Sequence, residues 1–460
     1  MLGATFFLLL AGSAAQPNPD TALVRAHVQA TAHQTFREPS GALKFPYLVP
    51  AGPYQESWDW DAMFMGAALG AYGATPYCVG TFKNFLSFVN LTNGALPGCL
   101  TPAGPSATLY HAKPLIIQAA LLAARQAGNL SLFAEYGPQM RALLMYWNST
   151  TRFDPQTGLH LWHDQLETGA DNLIFSQCPS QYSPECWSEA QAYTLASPDV
   201  MVWLAREYYA YGAFLRAWRH SGGGGLDWAA EAAGAAAYAA RLRDVIHERL
   251  WRWLDAPANT RGLYVGYNVS TGAQIVRRTY QAAWPVWAGL AANESVKQAA
   301  LTTLLEADLW SPFGLRSASS EDPRYSNANM INPYSNWRGP IWVNVNAVMA
   351  YTLRANGQAP AAGALADTIV RVLAEDLRAN GEWHEAYSSD NGTALAAPGV
   401  RAEGGAGRAR ASQHTHTHTY THNAYLFLPP LPSPQFLSWN TLAADLQANV
   451  AAGFDPFALA

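Results

Sequence analysis

Residues 198–220 read PDVMVWLAREYYAYGAFLRAWRH and residues 228–254 read WAAEAAGAAAYAARLRDVIHERLWRWL, two long stretches separated by a short run that holds Gly222–Gly225. Ala, Leu and aromatic residues recur in both at helical spacing, so the pair predicts a helical hairpin. Ala is also the best helix former, and composition and periodicity point the same way. The pattern returns at Thr21–Phe36, Ala112–Ala127, Leu132–Trp147, Val296–Leu309, Pro340–Asn356 and Ala361–Asn380, broken each time by Gly, Pro or Asn. Strand-like alternation is scarce. A run of helical hairpins with no linker predicts one all-α domain of toroidal or solenoid-like form.

Half of the 460 residues are hydrophobic, ample for a core, while only 13% are charged and the net charge is −5. No basic surface gathers phosphates, which argues against a nucleic-acid partner. The 17 Trp and 22 Tyr serve either as core or as rings that stack on the apolar faces of sugars. The apolar run Phe6–Leu10 followed by Ser13-Ala14-Ala15 has the form of a signal peptide over residues 1–15, too short to span a bilayer. A single domain over 16–460 then remains, with no later membrane span expected. Sequons at Asn90, Asn129, Asn148, Asn268, Asn293 and Asn391 and four cysteines fit a secreted glycoprotein. Short loops favour the pairs Cys78–Cys99 and Cys178–Cys186, with the other connectivities and free thiols left open. Residues 396–422 form a low-complexity insert containing His414-Thr415-His416-Thr417-His418-Thr419. A translated CA dinucleotide repeat gives such a tract, so it is not taken as a metal site.

Four loops carry the unusual residues, and function is sought there. Tyr54-Gln55-Glu56-Ser57-Trp58-Asp59-Trp60-Asp61 mixes rings with acids, as a carbohydrate site requires: rings cover C–H faces while carboxylates accept hydrogen bonds from vicinal hydroxyls. An N-capped helix with core Trp would read similarly. Glu167-Thr168-Gly169-Ala170-Asp171-Asn172 sets an acid after a glycine, which a turn Asp would also do. Asn336-Trp337-Arg338-Gly339-Pro340-Ile341-Trp342 places Arg between two Trp, where burial requires a partner. Trp383-His384-Glu385-Ala386-Tyr387 holds an acid between rings, a candidate general base, with Glu382 as a solvated decoy.

In order and in kind, these segments resemble the signatures of glycoside hydrolase family 63 and its mannosylglycerate-hydrolase-like members, from about Tyr54 to Tyr387. The resemblance implies an (α/α)6 barrel, the six-hairpin glycosidase toroid. It further implies Asp171 as general acid, Glu385 as general base, and Tyr54, Trp58, Trp60, Asp61 and Gly169 as sugar-binding residues. Trp337, Arg338 and Trp342 fall at the site wall. The chain departs from the family pattern at Lys113, before Pro114, and at Leu166; both bear on the aglycone side, where Lys113 is expected to favour an anionic or polar leaving group.

The leading expectation is an inverting α-glycosidase acting on a small α-glucoside or α-mannoside, such as mannosylglycerate, glucosylglycerate or a short oligosaccharide, with a carbohydrate as its partner and no cofactor. Arg338 is expected to keep Glu385 ionised, and an apolar surround to keep Asp171 protonated. The competing readings are a glucosidase that trims mannosyl-oligosaccharides, a trehalase-like enzyme, and a carbohydrate-binding pseudoenzyme. Release of sugar from a panel of α-glycosides separates the last from the rest. Oligomeric state is not legible.

Overall fold

The computed structural model describes residues 18–52, 54–106, 111–163, 166–173, 193–218, 227–328, 336–395 and 435–459. The leader, Cys178, Cys186, Gly222–Gly225 and the 396–422 insert with its His-Thr tract lie outside these.

Helices dominate, and their burial sorts them into two sets. Helices α2 (Asp59–Leu69), α4 (Ile116–Gln126), α6 (Pro198–Trp218) and α10 (Val343–Ala355) are buried nearly all round: nine of eleven residues in α2 and eleven of thirteen in α10. A helix without a solvent face belongs inside a large core. Helix α7 (Trp228–Val245) buries only Ala232, Ala235, Ala239, Leu242 and Val245, a single stripe, and therefore lies outside. Helices α1 (Pro19–Thr31), α3 (Thr75–Ser87), α5 (Gly137–Trp147), α9 (Glu294–Leu304) and α11 (Ala359–Asn380) complete the outer set.

The inner elements close a ring. Helix α2 packs on α4, α4 on α6, α6 on the short α8 (Trp284–Trp287), α8 on α10, and α10 on the 3-10 turn Ser438–Leu442, which returns to α2 and continues into α12 (Ala443–Ala452). Outer helices lie against the inner ring, α3 on α4 and α2, α7 on α6, α11 on α10 and α12. This is the double ring of helices expected of an (α/α)6 barrel. Phe457 plugs one end, packed on Phe64, Trp287 and Tyr351, and Arg206 donates to its carbonyl at 2.5 Å. The candidate residues gather at the other end, where the inner helices begin.

Two expectations change. The helix read over 228–254 ends at Val245, and after a wider turn the alternating Trp251-Arg252-Trp253 pairs as a strand with Gly262–Tyr264. Aromatic alternation at period two suits a half-buried strand better than a helix. The Cys78–Cys99 disulfide is not formed, and both cysteines are free and buried. Cys78 turns its sulfur toward Gly66 of α2, whereas Cys99 sits in a three-stranded sheet opposite Trp58, so sequence proximity did not bring the side chains together. No described helix is long and apolar enough to cross a membrane.

Candidate active site

The loop bearing Asp171 is fixed from below by Glu167. Arg152 donates two hydrogen bonds of 2.6 Å to that carboxylate, and the Glu167 oxygens also accept from the backbone N–H groups of His111 and His163. The Arg152 guanidinium lies 5.0–5.1 Å from the ring centres of Tyr146, Trp147 and Tyr193. Burial pulls its pKa down, but the Glu167 charge and hydrogen bonds prevail and hold it above the ordinary value. Gly169 then turns with φ +76°, and a Cβ there would stand 2.9 Å from Lys113 Cε and 3.3 Å from the Trp60 ring. Only glycine satisfies both the backbone and the contact.

Asn172, next to Asp171, joins the second loop to the third. Its Oδ1 accepts from Trp337 N at 2.8 Å, its Nδ2 donates to Asn336 Oδ1 at 3.1 Å, and its carbonyl accepts from Arg338 Nε at 2.7 Å. The third loop is in turn paired with the fourth through two backbone hydrogen bonds between Ile341 and Tyr387. Asp376 of α11 ties the fourth loop down, accepting from His384 N at 3.1 Å and Tyr387 OH at 2.8 Å. Asn440 Nδ2 holds the His384 carbonyl at 2.8 Å, and Trp439 Nε1 the Glu385 carbonyl at 3.3 Å.

Glu385 Oε2 accepts from Tyr54 OH at 3.1 Å, and Asp61 Oδ1 accepts from Ser438 Oγ. The charges of Asp61 and Asp171 both act on Glu385. The three acids therefore occupy one electrostatic site. Burial first, then Asp61 and Asp171, push the Glu385 pKa up to about 8, against the Tyr54 hydrogen bond. Burial raises Asp61 to about 7, while Ser438 and Lys113 work against it. Carboxylates so close share protons, and near neutral pH the cluster retains at least part of one. Arg338 does not act as expected: its Nε serves Asn172 beside Asp171, and it is no cause of the Glu385 shift.

Stability should report this. Because folding raises the Glu385 pKa from 4.5 to about 8, the folded state holds its proton more tightly. Its contribution is full below pH ~4.5 and is lost as pH rises toward 8. Glu385→Gln removes that loss, so its Tm should exceed the wild type's by a few degrees at pH 8 and match it near pH 4.5, as read by calorimetry. Equal Tm values at pH 8 would contradict the burial of the charge.

Lys113 is buried. Its backbone N donates to Asp59 Oδ2 at 2.6 Å and its ammonium lies 3.3 Å from Asp59 Oδ1, 5.8 Å from the Trp60 ring centre. One of its three ammonium N–H donors goes to Asp59, and its charge also bears on Asp61. Trp58, the last residue before α2, is paired by its backbone with Cys99 and is partly exposed. Trp337 and Trp342 are 1% exposed and stack on each other at 3.8 Å, with Trp342 Nε1 on the Asn336 carbonyl, so Trp342 backs the wall.

Sequence reasoning passed over four residues. Ser438 and Trp439 lie beyond the low-complexity insert, where the aromatic and polar mix Phe436-Leu437-Ser438-Trp439-Asn440 was the available signal. Trp203 stacks on Trp60 at 4.8 Å, from the middle of a helix that read only as core. Tyr280, 2% exposed, feels the charges of Asp199 and Asp171.

A model of the mannosylglycerate hydrolase MGH1-like glycoside hydrolase domain matches residues 54–422. The chain belongs to this family. The match shows a glycoside hydrolase domain. Among curated relatives, a probable mannosyl-oligosaccharide glucosidase of Schizosaccharomyces pombe is 30% identical over 109 residues, 23% of this chain and 12% of that protein. The periplasmic trehalase of Xanthomonas campestris pv. campestris is 24% identical over 375 residues, 72% of this chain and 60% of the trehalase. The chain thus spans less than two thirds of these relatives. Among solved structures, the family 63 mannosylglycerate hydrolase of Thermus thermophilus in complex with glucose superposes with TM-score 0.62 at 17% identity, covering 92% of this chain and 100% of that one. The neutral trehalase of Saccharomyces cerevisiae gives 0.60 at 16%, covering 94% and 82%. At such identities these likenesses speak for the fold.

Proposed function

We propose that this glycoside hydrolase is an inverting α-glycosidase acting on a small α-glucoside or α-mannoside whose aglycone carries a carboxylate, of the mannosylglycerate or glucosylglycerate kind. The observation that carries the reading is the gathering of Asp171, Glu385 and Asp61 at one mouth of the barrel among aromatic rings. Asp171 protonates the glycosidic oxygen as the C1–O bond breaks. Water attacks C1 from the opposite face and gives its proton to Glu385, which requires the two carboxyl groups to stand about 6.5–9.5 Å apart. Tyr54 orients Glu385, Asp61 accepts from sugar hydroxyls, and Trp60 supplies a ring face.

The preference for an anionic aglycone rests on the arginines beside Asp171. Arg338 Nε reaches the Asn172 carbonyl and Arg324 Nη2 the Leu173 carbonyl at 3.3 Å, immediately after Asp171. Arg277 stands beside them, pushing the Arg338 pKa down in addition to burial. Asp322 pairs with Arg277 at 2.8 Å and lies 3.4 Å from Arg324, and Arg324 Nη1 is buried without a hydrogen-bond partner among the described residues. Such an excess of guanidinium beside the leaving-group acid suits a carboxylate.

The test is a panel of α-mannosylglycerate, α-glucosylglycerate, α,α-trehalose and neutral aryl α-glycosides. Turnover of the glycerates with Arg324→Ala raising their KM about tenfold, and that of a neutral glycoside by less than twofold, is the expected result. Preferential turnover of trehalose, to which the Xanthomonas relative points, would reassign the aglycone; no turnover of any α-glycoside would reject the proposal.

A further inference from the structure

A cavity of about 520 Å³ opens at the end of the barrel opposite the acids. It is bounded by Ala67 and Ala68 at the C-terminal end of α2 and the turn Gly70-Ala71 that follows, by Leu122, Arg125 and Gln126 of α4, by Tyr351 of α10, by Asp445 and Asn449 of α12, and by the segment from Phe454 to Ala458. Eight residues of helix separate Asp61 from Leu69 on α2, about 12 Å at 1.5 Å per residue, so this is a different place from the candidate active site. The volume falls within the range of small-molecule sites.

The charged groups of the lining are already engaged. Arg125 donates to the carbonyls of Ala458 and Leu459, Asp445 accepts from Arg25 at 2.9 Å and Tyr72 OH at 3.1 Å, and Asp455 accepts from Trp287 Nε1 at 2.9 Å and Phe457 N at 2.9 Å. The uncharged groups keep spare capacity. Gln126 spends its Nε2 on the Gly66 carbonyl, which leaves its Oε1; Asn449 Nδ2 meets Tyr351 OH only at 3.5 Å, which leaves the Asn449 Oδ1 and the tyrosine's own O–H. Thr75 adds a hydroxyl, and the Phe454 ring stands at the rim, 57% exposed although it is a large apolar side chain.

Ions are poorly matched to a site whose charges are internally satisfied, whereas a neutral polyhydroxylated ring takes both what is spare and what is exposed. Its hydroxyls donate to the two amide oxygens and accept from the tyrosine, and its C–H face covers Phe454. We propose that this cavity is a second carbohydrate site, separate from the catalytic one, that binds a neutral mono- or disaccharide against Phe454, Asn449, Gln126 and Tyr351. The inference goes beyond the hydrolytic reading and does not depend on the roles of Asp171 and Glu385.

Its test is calorimetric titration of D-glucose and of α,α-trehalose into Glu385→Gln, and into that variant carrying Phe454→Ala or Asn449→Ala. Because Phe454 is exposed, the first substitution leaves folding intact, and equal Tm values check both. The expected result is binding at a site whose affinity falls about tenfold or more with either substitution, while the same substitutions in the wild-type chain leave steady-state hydrolysis unchanged. Absence of any binding by both sugars, or binding indifferent to both substitutions, would overturn the proposal. The hydrolysis panel, which concerns only the far mouth, would stand or fall separately.

Discussion

Asp171→Asn and Glu385→Gln should each lower kcat on the preferred α-glycoside by about 10²–10⁴-fold, the usual contribution of a positioned acid or base, with substrate binding largely retained. The two losses are distinguishable. An α-glycosyl fluoride leaves without a proton, so Asp171→Asn should hydrolyse it at a rate near the wild type's, whereas Glu385→Gln, lacking the group that takes the proton from water, should not. The comparison has force because burial and its acidic neighbours raise Glu385 to about 8: in the free enzyme at neutral pH the residue assigned as base carries a proton much of the time. Activity should accordingly rise with pH as the cluster of Asp61, Asp171 and Glu385 loses its shared proton, then fall as the acid is deprotonated. Rescue of Glu385→Gln by the fluoride in place of Asp171→Asn would exchange the roles. Glu382→Gln serves as control and should cost little.

Arg152→Ala should destabilise the fold by about 3–5 kcal/mol in chemical denaturation, the scale found when one partner of a buried ion pair is removed. Both partners are almost wholly buried, 2% exposed for Arg152 and none for Glu167, so the orphaned carboxylate has no water to turn to. Glu167 anchors the backbone at His111 and His163 and leads within four residues to Asp171; kcat should therefore fall as well, although Arg152 touches no substrate. Arg152→Lys should recover only part of either loss, since an ammonium cannot reproduce two parallel N–H···O bonds. A loss of stability below about 1 kcal/mol would show the pair to be a surface-like contact and would remove this explanation of how the acid is held.

Most helices were legible, α11 by the one-sided stripe from Ala362 to Asp376 and the inner α4, α6 and α10 by their Ala and Leu at helical spacing, whereas the outer α3 was passed over. Helix α2 left none: with nine of eleven residues buried, the run Asp59–Leu69 has no polar face to mark its pitch. The single turn of α8 was too short to register. At the site, motif chemistry singled out Asp61, Asp171 and Glu385, and the charges of the first two act on the third in the fold, but the partners that long side chains choose were not legible. Lys113 turned to Asp59 and Arg338 to Asn172. Glu167 looked like one more loop acid, and only the fold reveals that Arg152, fifteen residues earlier, lies beneath it. Tyr280 and Ser438 are ordinary residues in sequence whose importance comes from which acid they face.

The central claim is that water attacks C1 opposite the leaving group, with Asp171 as acid and Glu385 as base. It is tested most directly by recording the proton NMR spectrum of the anomeric region during the first turnovers of an α-mannosyl- or α-glucosylglycerate. The account predicts that the β-hexose appears first and the α-anomer only later, by mutarotation. Initial release of the α-hexose would mean retention, and with it a covalent intermediate that this pair of carboxylates has not been assigned to form.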